Sequence, residues 1–340
     1  MGTGAGTMDQ GPTRRRVLAG AAGSITAGLL AACSGGTATG GAGTASAGAG
    51  GLRVGPLSTQ NTLTLTQASG LLAEHLEGAG GSVTFSTPFA AFSPAAEALA
   101  AGQVDMSSGS STALVTALQG DPDLVVFAVE RNDGDTQGIV AAAGSGITTI
   151  ADLAGRSVAV NRGGTGDYLL RTALATQGLT IEDVTPVHLG PADAATAFSS
   201  GQVDAWATWD QFLVTAQHLE GTVTVTLARD VAATNRTVHV VRRAYLDADP
   251  AGVAAAYDAL VEQAGRVRAD PSILVDAYRG AGASPEIADA LGALTPPTVV
   301  PADAAFLTEL QQVADFYAAQ GLTPAPTDVT TAVVDATALP

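Results

Sequence analysis

The sequence predicts an α/β protein of two lobes, each a mainly parallel sheet flanked by helices, with two strands forming the hinge between them. Three observations lead there. Between residues 52 and 228, short apolar runs alternate with helical periodicity, strand then helix, in two successive rounds. Gly102-Gln103-Val104-Asp105 recurs as Gly201-Gln202-Val203-Asp204, each time after an Ala-rich helix and at the opening of a strand. Beyond Arg243 the pattern becomes mostly helical, as expected of a tail that packs back on the first lobe.

In order, residues 52–56 read as a strand. Residues 62–77 read as a helix carrying Leu65, Ala68, Leu72 and Leu76 on one face. A strand follows at 83–86, a helix at 94–101 that opens on Pro94 and stops at Gly102, and a strand at 104–108. The first round closes with a helix at 111–119 and a strand at 124–129. The second has strands at 157–161, 185–189, 203–206 and 222–228, separated by helices at 167–177, 192–200 and 211–219. Helices are then expected at 250–268, 271–279, 285–291 and 302–319. Strands at 138–143 and 237–243 would carry the chain across, so that 52–143 with 237–340 form one lobe and 144–236 the other. Two crossings between two lobes make a clamp.

Composition narrows the function. The formal net charge is -17, and Arg14, Arg15 and Arg16 lie in the leader, so the folded part is more acidic still. Nucleic-acid binding by phosphate neutralisation needs a basic face, which excludes that class. The single cysteine, Cys33, cannot form a disulfide within the chain. His75, His188, His218 and His239 share no metal-ligand spacing, and each reads as a satisfied or solvated histidine. No nucleophile elbow and no Walker loop is present, and Gly164-x-Gly166 lacks the third glycine of a dinucleotide fingerprint. No enzyme activity, cofactor or metal is expected, and the protein is expected to be a monomer.

The N-terminus reads as an address. Thr13-Arg14-Arg15-Arg16-Val17-Leu18 resembles a twin-arginine export signal. A Gly/Ala-rich apolar stretch leads to Leu30-Ala31-Ala32-Cys33, which resembles a bacterial lipobox with Cys33 as the lipidated residue. Residues 1–33 are therefore expected to be a signal peptide. Residues 34–51, almost all Gly, Ala, Ser and Thr, are expected to act as a flexible tether holding the folded part outside the cell membrane.

In open α/β sheets ligands sit beyond the carboxyl ends of the strands. The loops there are hydroxyl- and amide-rich: Thr59, Gln60 and Asn61 in the first, Ser108, Gly109, Ser110 and Ser111 in the second, Gly164, Thr165 and Gly166 in the third, Trp209 and Asp210 in the fourth. Three of them precede a helix, whose unpaired N–H groups suit an anion. The same residue types are also ordinary helix caps, and Asp167 leans that way. Trp206 and Trp209 fall on opposite faces of a strand, and Trp209, nearer its end, is the one expected at the pocket.

These loops resemble those of substrate-binding proteins of ABC importers for aliphatic sulfonates, taurine and nitrate. The residues that carry the resemblance are Ile150-Ala151-Asp152-Leu153-Ala154-Gly155-Arg156, the turn Gly163-Gly164-Thr165-Gly166-Asp167-Tyr168, and Asp204-Ala205-Trp206-Ala207-Thr208-Trp209-Asp210. The chain departs from the family in having Gln211 where a proline commonly follows Trp-Asp. The resemblance implies a type II periplasmic-binding fold, a small anionic solute held between the lobes by the Thr165 turn, the first-strand loop and the Gly109 loop, and docking on a membrane permease. Binding of a pyrimidine or thiamine precursor or another small carboxylate, and a fold-related sensor or enzyme, stay open.

Overall fold

The computed structural model describes Met1 and residues 51–121, 123–233 and 235–340. The expected export signal, Cys33 and the tether as far as residue 50 lie outside the described residues. No helix among those described is long and apolar enough to cross a membrane.

The first round runs β1 (Leu52–Gly55), α1 (Thr62–Ser69), α2 (Leu71–Gly78), β2 (Val83–Phe85), α3 (Phe92–Ala100), β3 (Met106–Ser110), α4 (Ser111–Leu118) and β4 (Leu124–Arg131). The second runs β5 (Gln137–Ala141), β6 (Ser157–Val160), α5 (Thr165–Ala175), β7 (Thr185–His188), α6 (Pro191–Ser199), β8 (Ala205–Trp209), α7 (Asp210–Gln217) and β9 (Val223–Leu227). The chain then forms β10 (Thr237–Arg242), α8 (Arg243–Ala248), α9 (Pro250–Ala269), α10 (Ser272–Gly280), α11 (Pro285–Gly292), β11 (Thr298–Pro301) and α12 (Ala304–Ala319).

Two sheets result, in the orders β11-β4-β10-β3-β1-β2 and β7-β6-β8-β5-β9. In the first, β1, β2 and β3 are parallel, while β10 runs against both β3 and β4. In the second, β6, β7 and β8 are parallel, while β5 runs against β8 and β9. The two reversed strands have one cause. Each is the first strand the chain makes after crossing, and it enters its sheet from the end where the parallel strands finish.

This pairing corrects two expectations. Residues 138–143 and 237–243 are not hinge strands; β5 and β10 are interior strands of the second and first sheets. The chain crosses between β4 and β5 and again between β9 and β10, so the boundary expected at 143 moves back to before β5.

The repeated tetrapeptide has a structural meaning. Gly102 and Gly201 take left-handed φ of 66° and 70° and turn α3 into β3 and α6 into β8. Asp105 then takes hydrogen bonds from the Arg53 amide and guanidinium of β1, and Asp204 takes them from the Ser157 amide and hydroxyl of β6. Both copies pin the start of the neighbouring parallel strand with a carboxylate.

The helix expected over 62–77 is broken at Gly70, whose φ of 80° divides it into α1 and α2. Against one face of the first sheet α1, α2 and α9 bury Leu63, Leu72, Phe127 and Leu260. Against the other, α3, α4 and α12 bury Leu99, Leu114, Val126 and Phe306, and this cluster continues into Val160 and Leu169 of the second lobe. The far face of the second sheet packs Trp206 with Phe198 and Leu213. The C-terminal region returns to the first lobe through α9, β11 and α12, with one exception. The pair α10–α11 reaches across to α7, burying Val214, Tyr278, Ala288 and Leu291 together.

Candidate ligand-binding cleft

A cavity of about 170 Å³ lies between the sheets, where the ends of β3, β4 and β8 meet the two crossings. That is small beside the roughly 300–1,000 Å³ of sites for drug-sized molecules. Its walls come from both lobes, and Leu274, Tyr278, Leu291 and Leu294 of the α10–α11 region cover one side.

Most of the residues expected at the pocket line it: Thr59, Gln60, Asn61, Ser108, Gly109, Ser110, Thr165, Trp209 and Asp210. Trp206 is instead packed in the second-lobe core, as the alternation along β8 requires. Three expected residues lie off the cavity. The Ser111 hydroxyl is buried on Asn235, and its amide donates to the Arg236 carbonyl. Gly164 and Gly166 serve packing: a Cβ on Gly164 would stand 1.8 Å from Asn161 Nδ2, and one on Gly166 2.3 Å from the Ala207 carbonyl. The turn must be this thin to sit against Asn161 and β8.

Many donors read as an anion cradle are taken by the chain itself. Asn61 caps α1 by accepting from the Thr64 amide at 3.1 Å, and its Nδ2 donates to Ser108 Oγ at 2.9 Å. The Thr62 amide donates to Glu130 Oε1 at 3.0 Å. At the third loop the Gly163 amide donates to Asp167 and the Gly166 amide to Asn161 Oδ1. Ser110 caps α4 through the Ala113 amide. For Asn61, Ser110 and Asp167 the capping role is therefore realised.

Thr165 stands apart. Its Oγ1 accepts from Asn235 Nδ2 at 2.9 Å, and its O–H has no acceptor among the described residues, so the hydroxyl can still donate. Asn235 belongs to the second crossing. Its Oδ1 accepts from the Ser111 hydroxyl, the Thr112 amide and the Thr112 hydroxyl, at 3.0, 3.3 and 3.2 Å. Gln137 Nε2, at the start of β5, donates to its backbone carbonyl. One buried asparagine of the second crossing thus joins the α4 N-terminus, the α5 N-terminus and the start of β5.

Sequence reading missed Asn235, Asn161, Gln137, Glu130 and Tyr278, all of which line the cavity. Asn161 closes a strand and could have been found by reading one residue further back from the glycine turn. Asn235 and Gln137 carry no local pattern. Glu130 ends an apolar run and is buried through pairing that only the fold supplies.

The electrostatics of the cavity are uneven. Burial pushes the Glu130 carboxyl up, but hydrogen bonds and charge from His239, with the Thr62 amide, outweigh it and hold the group below its usual range. Asp210 is raised to about 7, first by burial and then by the charge of Glu130. Burial, Asp210 and Glu130 also push the Tyr278 phenol up, so it stays neutral. Arg236 is the one basic residue among the lining side chains, and its Nε is given to Glu309 Oε2 at 3.1 Å. His75 meets Glu262, His188 meets Arg162, His218 meets the Val214 carbonyl and His239 meets Glu130, with His239 Nδ1 left unpartnered.

The NMT1/THI5 like family model matches residues 77–272. Over 241 residues the chain is 34% identical to an Escherichia coli (strain K12) protein named for binding aliphatic sulfonates; the match covers 68% of this chain and 73% of that one. Among solved structures, it is similar to the alkanesulfonate-binding protein SsuA from Xanthomonas axonopodis pv. citri bound to MOPS. The TM-score is 0.78 at 26% identity, over 84% of this chain and 98% of that one. The periplasmic aliphatic sulphonate binding protein SsuA from Escherichia coli follows with a TM-score of 0.72 at 27% identity, over 84% and 92%. All three are named as binding proteins rather than enzymes, and their likeness confirms the two-lobed fold expected from the sequence. The match of more than half of this chain to the family model, and its kinship with these binding proteins, make it a member of the NMT1/THI5-like family.

Proposed function

We propose that this chain is the extracytoplasmic solute-binding component of an ABC importer, and that it clamps a small sulfonate between its lobes for delivery to a membrane permease. The observation that carries the reading is the cavity itself. It is small, built from both lobes at the ends of their sheets, and walled by hydroxyls and side-chain amides such as Thr165, Ser108 and Asn161. Neutral donors of this kind can hold a weakly basic sulfonate oxygen without a basic residue. The 34% identity to a protein named for sulfonates supports the same ligand class.

The contacts proposed for the sulfonate are the free O–H of Thr165, with Thr59, Gln60, Asn61, Ser108, Gly109 and Ser110 around it and Trp209 as an apolar wall. The leader supports export through the Arg14-Arg15 motif and acylation at Cys33, so the folded part would work at the cell membrane on its tether. Taurine and nitrate remain candidate solutes beside the alkanesulfonates.

A thermal-shift panel of alkanesulfonates, taurine, nitrate, small carboxylates and pyrimidine precursors tests this. A ligand at about 100 times its Kd adds roughly 2.7 kcal/mol of stability. A sulfonate response supports the reading. A response to a pyrimidine precursor alone, with none to any sulfonate, contradicts it.

A further inference from the structure

The lobes touch at two places beside the cavity, and the two contacts are built differently. On the α5 side, the Gly163 carbonyl accepts from Thr116 Oγ1 of α4 at 3.2 Å and from the Tyr317 hydroxyl of α12 at 3.1 Å. Tyr317 is fully buried, and its ring and that of Phe316 pack on Tyr168 of α5, with centroids 6.2 and 5.1 Å away. The Asn235–Thr165 bond ties the same turn to the second crossing. This seam is a continuous core with polar groups paired inside it. Parting it means breaking those hydrogen bonds and wetting apolar surface shared by both lobes.

On the α7 side the contact is small and apolar. Val214 of α7 is buried with Tyr278, Ala288 and Leu291 of the α10–α11 hairpin, in a cluster separate from the main core. Among the described residues no hydrogen bond joins the hairpin to α7; the bond from Arg279 Nη2 to Asp289 Oδ1, at 2.7 Å, ties the hairpin's own two helices. A Cβ on Gly292 would stand 2.2 Å from Val275 Cγ2, so these helices are closely packed and can move as one body. The hairpin hangs on Asp270-Pro271 after α9 and on residues 293–297 before β11. Pro271, Pro296 and Pro297 have no N–H to pair, and neither tether continues a helix or a strand.

Tyr278 and Leu291 have two roles. They hold α7, and with Leu274 and Leu294 they wall the cavity. Lifting the hairpin from α7 therefore opens the cavity and frees the second lobe on that side in one movement, for the loss of a few apolar contacts. We propose that the α10–α11 hairpin is the gate of the cleft: solute enters and leaves between this hairpin and α7, while the seam at Gly163 stays closed and serves as the pivot. The route rests on the cavity being the solute site, as proposed above. The motion does not, so protein without solute can test it.

The test is pulsed electron paramagnetic resonance on the full chain carrying Cys33→Ser and one of two spin-label pairs at exposed positions. Thr215→Cys on α7 with Glu286→Cys on α11 reads the gate, and Ala175→Cys on α5 with Gln312→Cys on α12 reads the seam. Without solute, the gate pair should show a second, longer distance and the seam pair a single narrow one. Val214→Ala trims the α7 side of the cluster. It should raise the long-to-short ratio at the gate at least about threefold and leave the seam pair unchanged. Butane-1-sulfonate should collapse the gate pair to its shorter distance. A single short gate distance without solute, or a seam pair that widens along with the gate, overturns the proposal. A two-distance gate that butane-1-sulfonate leaves unchanged keeps the gate and counts against the sulfonate reading.

Discussion

Asn235 Nδ2 donates to Thr165 Oγ1 at 2.9 Å, across the junction between the second crossing and the α5 N-terminus. The same asparagine accepts from Ser111 and Thr112 at the α4 N-terminus. It thus sets the distance between two of the loops that wall the cavity. Asn235→Ala should leave these buried groups without partners, costing about 1–3 kcal/mol for each one not rescued by water. Urea unfolding and ligand titration of the same variant check this. Both the midpoint and the affinity should fall, and wild-type behaviour in either would show that the bridge does not organise the cleft.

Asp210 gives a pH prediction. Its folded-state value of about 7 stands above its ordinary 3.8, so the folded protein holds this proton more tightly than the unfolded chain does. Stability from this group is present in full below about pH 4 and is lost as pH rises towards 7. Asp210→Asn removes that loss. The melting temperature of the variant, relative to wild type, should climb between pH 4 and pH 8. A difference that is flat across that range contradicts the burial assigned to Asp210.

Gly166 tests the thinness of the third loop. A Cβ there would stand 2.3 Å from the Ala207 carbonyl, a backbone atom of β8 that cannot swing away. Gly166→Ala should destabilise by about 1–3 kcal/mol, the usual scale of overpacking, and displace the Thr165 hydroxyl. Thermal melts and affinity should move together; a variant that melts normally and binds normally would mean that the turn has slack.

The repeated tetrapeptide predicts an asymmetry. Asp105 is 2% exposed and holds the Arg53 and Arg242 guanidinium groups, whereas Asp204 is half-buried and is satisfied by Ser157 alone. Asp105→Ala should therefore cost about 2–3 kcal/mol and Asp204→Ala about 1 kcal/mol. Equal losses in denaturant melts would show that the buried position adds nothing.

Much of the architecture was legible because each element carries its own punctuation. Gly102 and Gly201 mark helix ends, Pro250 and Pro285 open helices, and the apolar run from Leu124 to Val129 can only be a buried strand. β11 was not legible: Pro296, Pro297 and Pro301 argue against a strand, and it is tolerated because it pairs with β4 alone at the sheet edge. The lobe boundary was misread at 143 because β5 looks locally like a continuation of the first round, and only its antiparallel pairing shows which sheet owns it. At the cleft, loops rich in Ser, Thr and Gly announced themselves. Asn235 and Glu130 did not, since their roles come from what the crossings and α1 bring to them.

Thr165 carries the central claim, because its Oγ1 is held by Asn235 and its O–H has no acceptor among the described residues. Calorimetric titration of an alkanesulfonate into wild type, Thr165→Val and Thr165→Ser measures it most directly. The account predicts saturable binding to wild type, a fall of about tenfold or more in Thr165→Val with the fold retained by melting, and recovery in Thr165→Ser. Undiminished affinity in a folded Thr165→Val, or no sulfonate binding by the wild type, would contradict it.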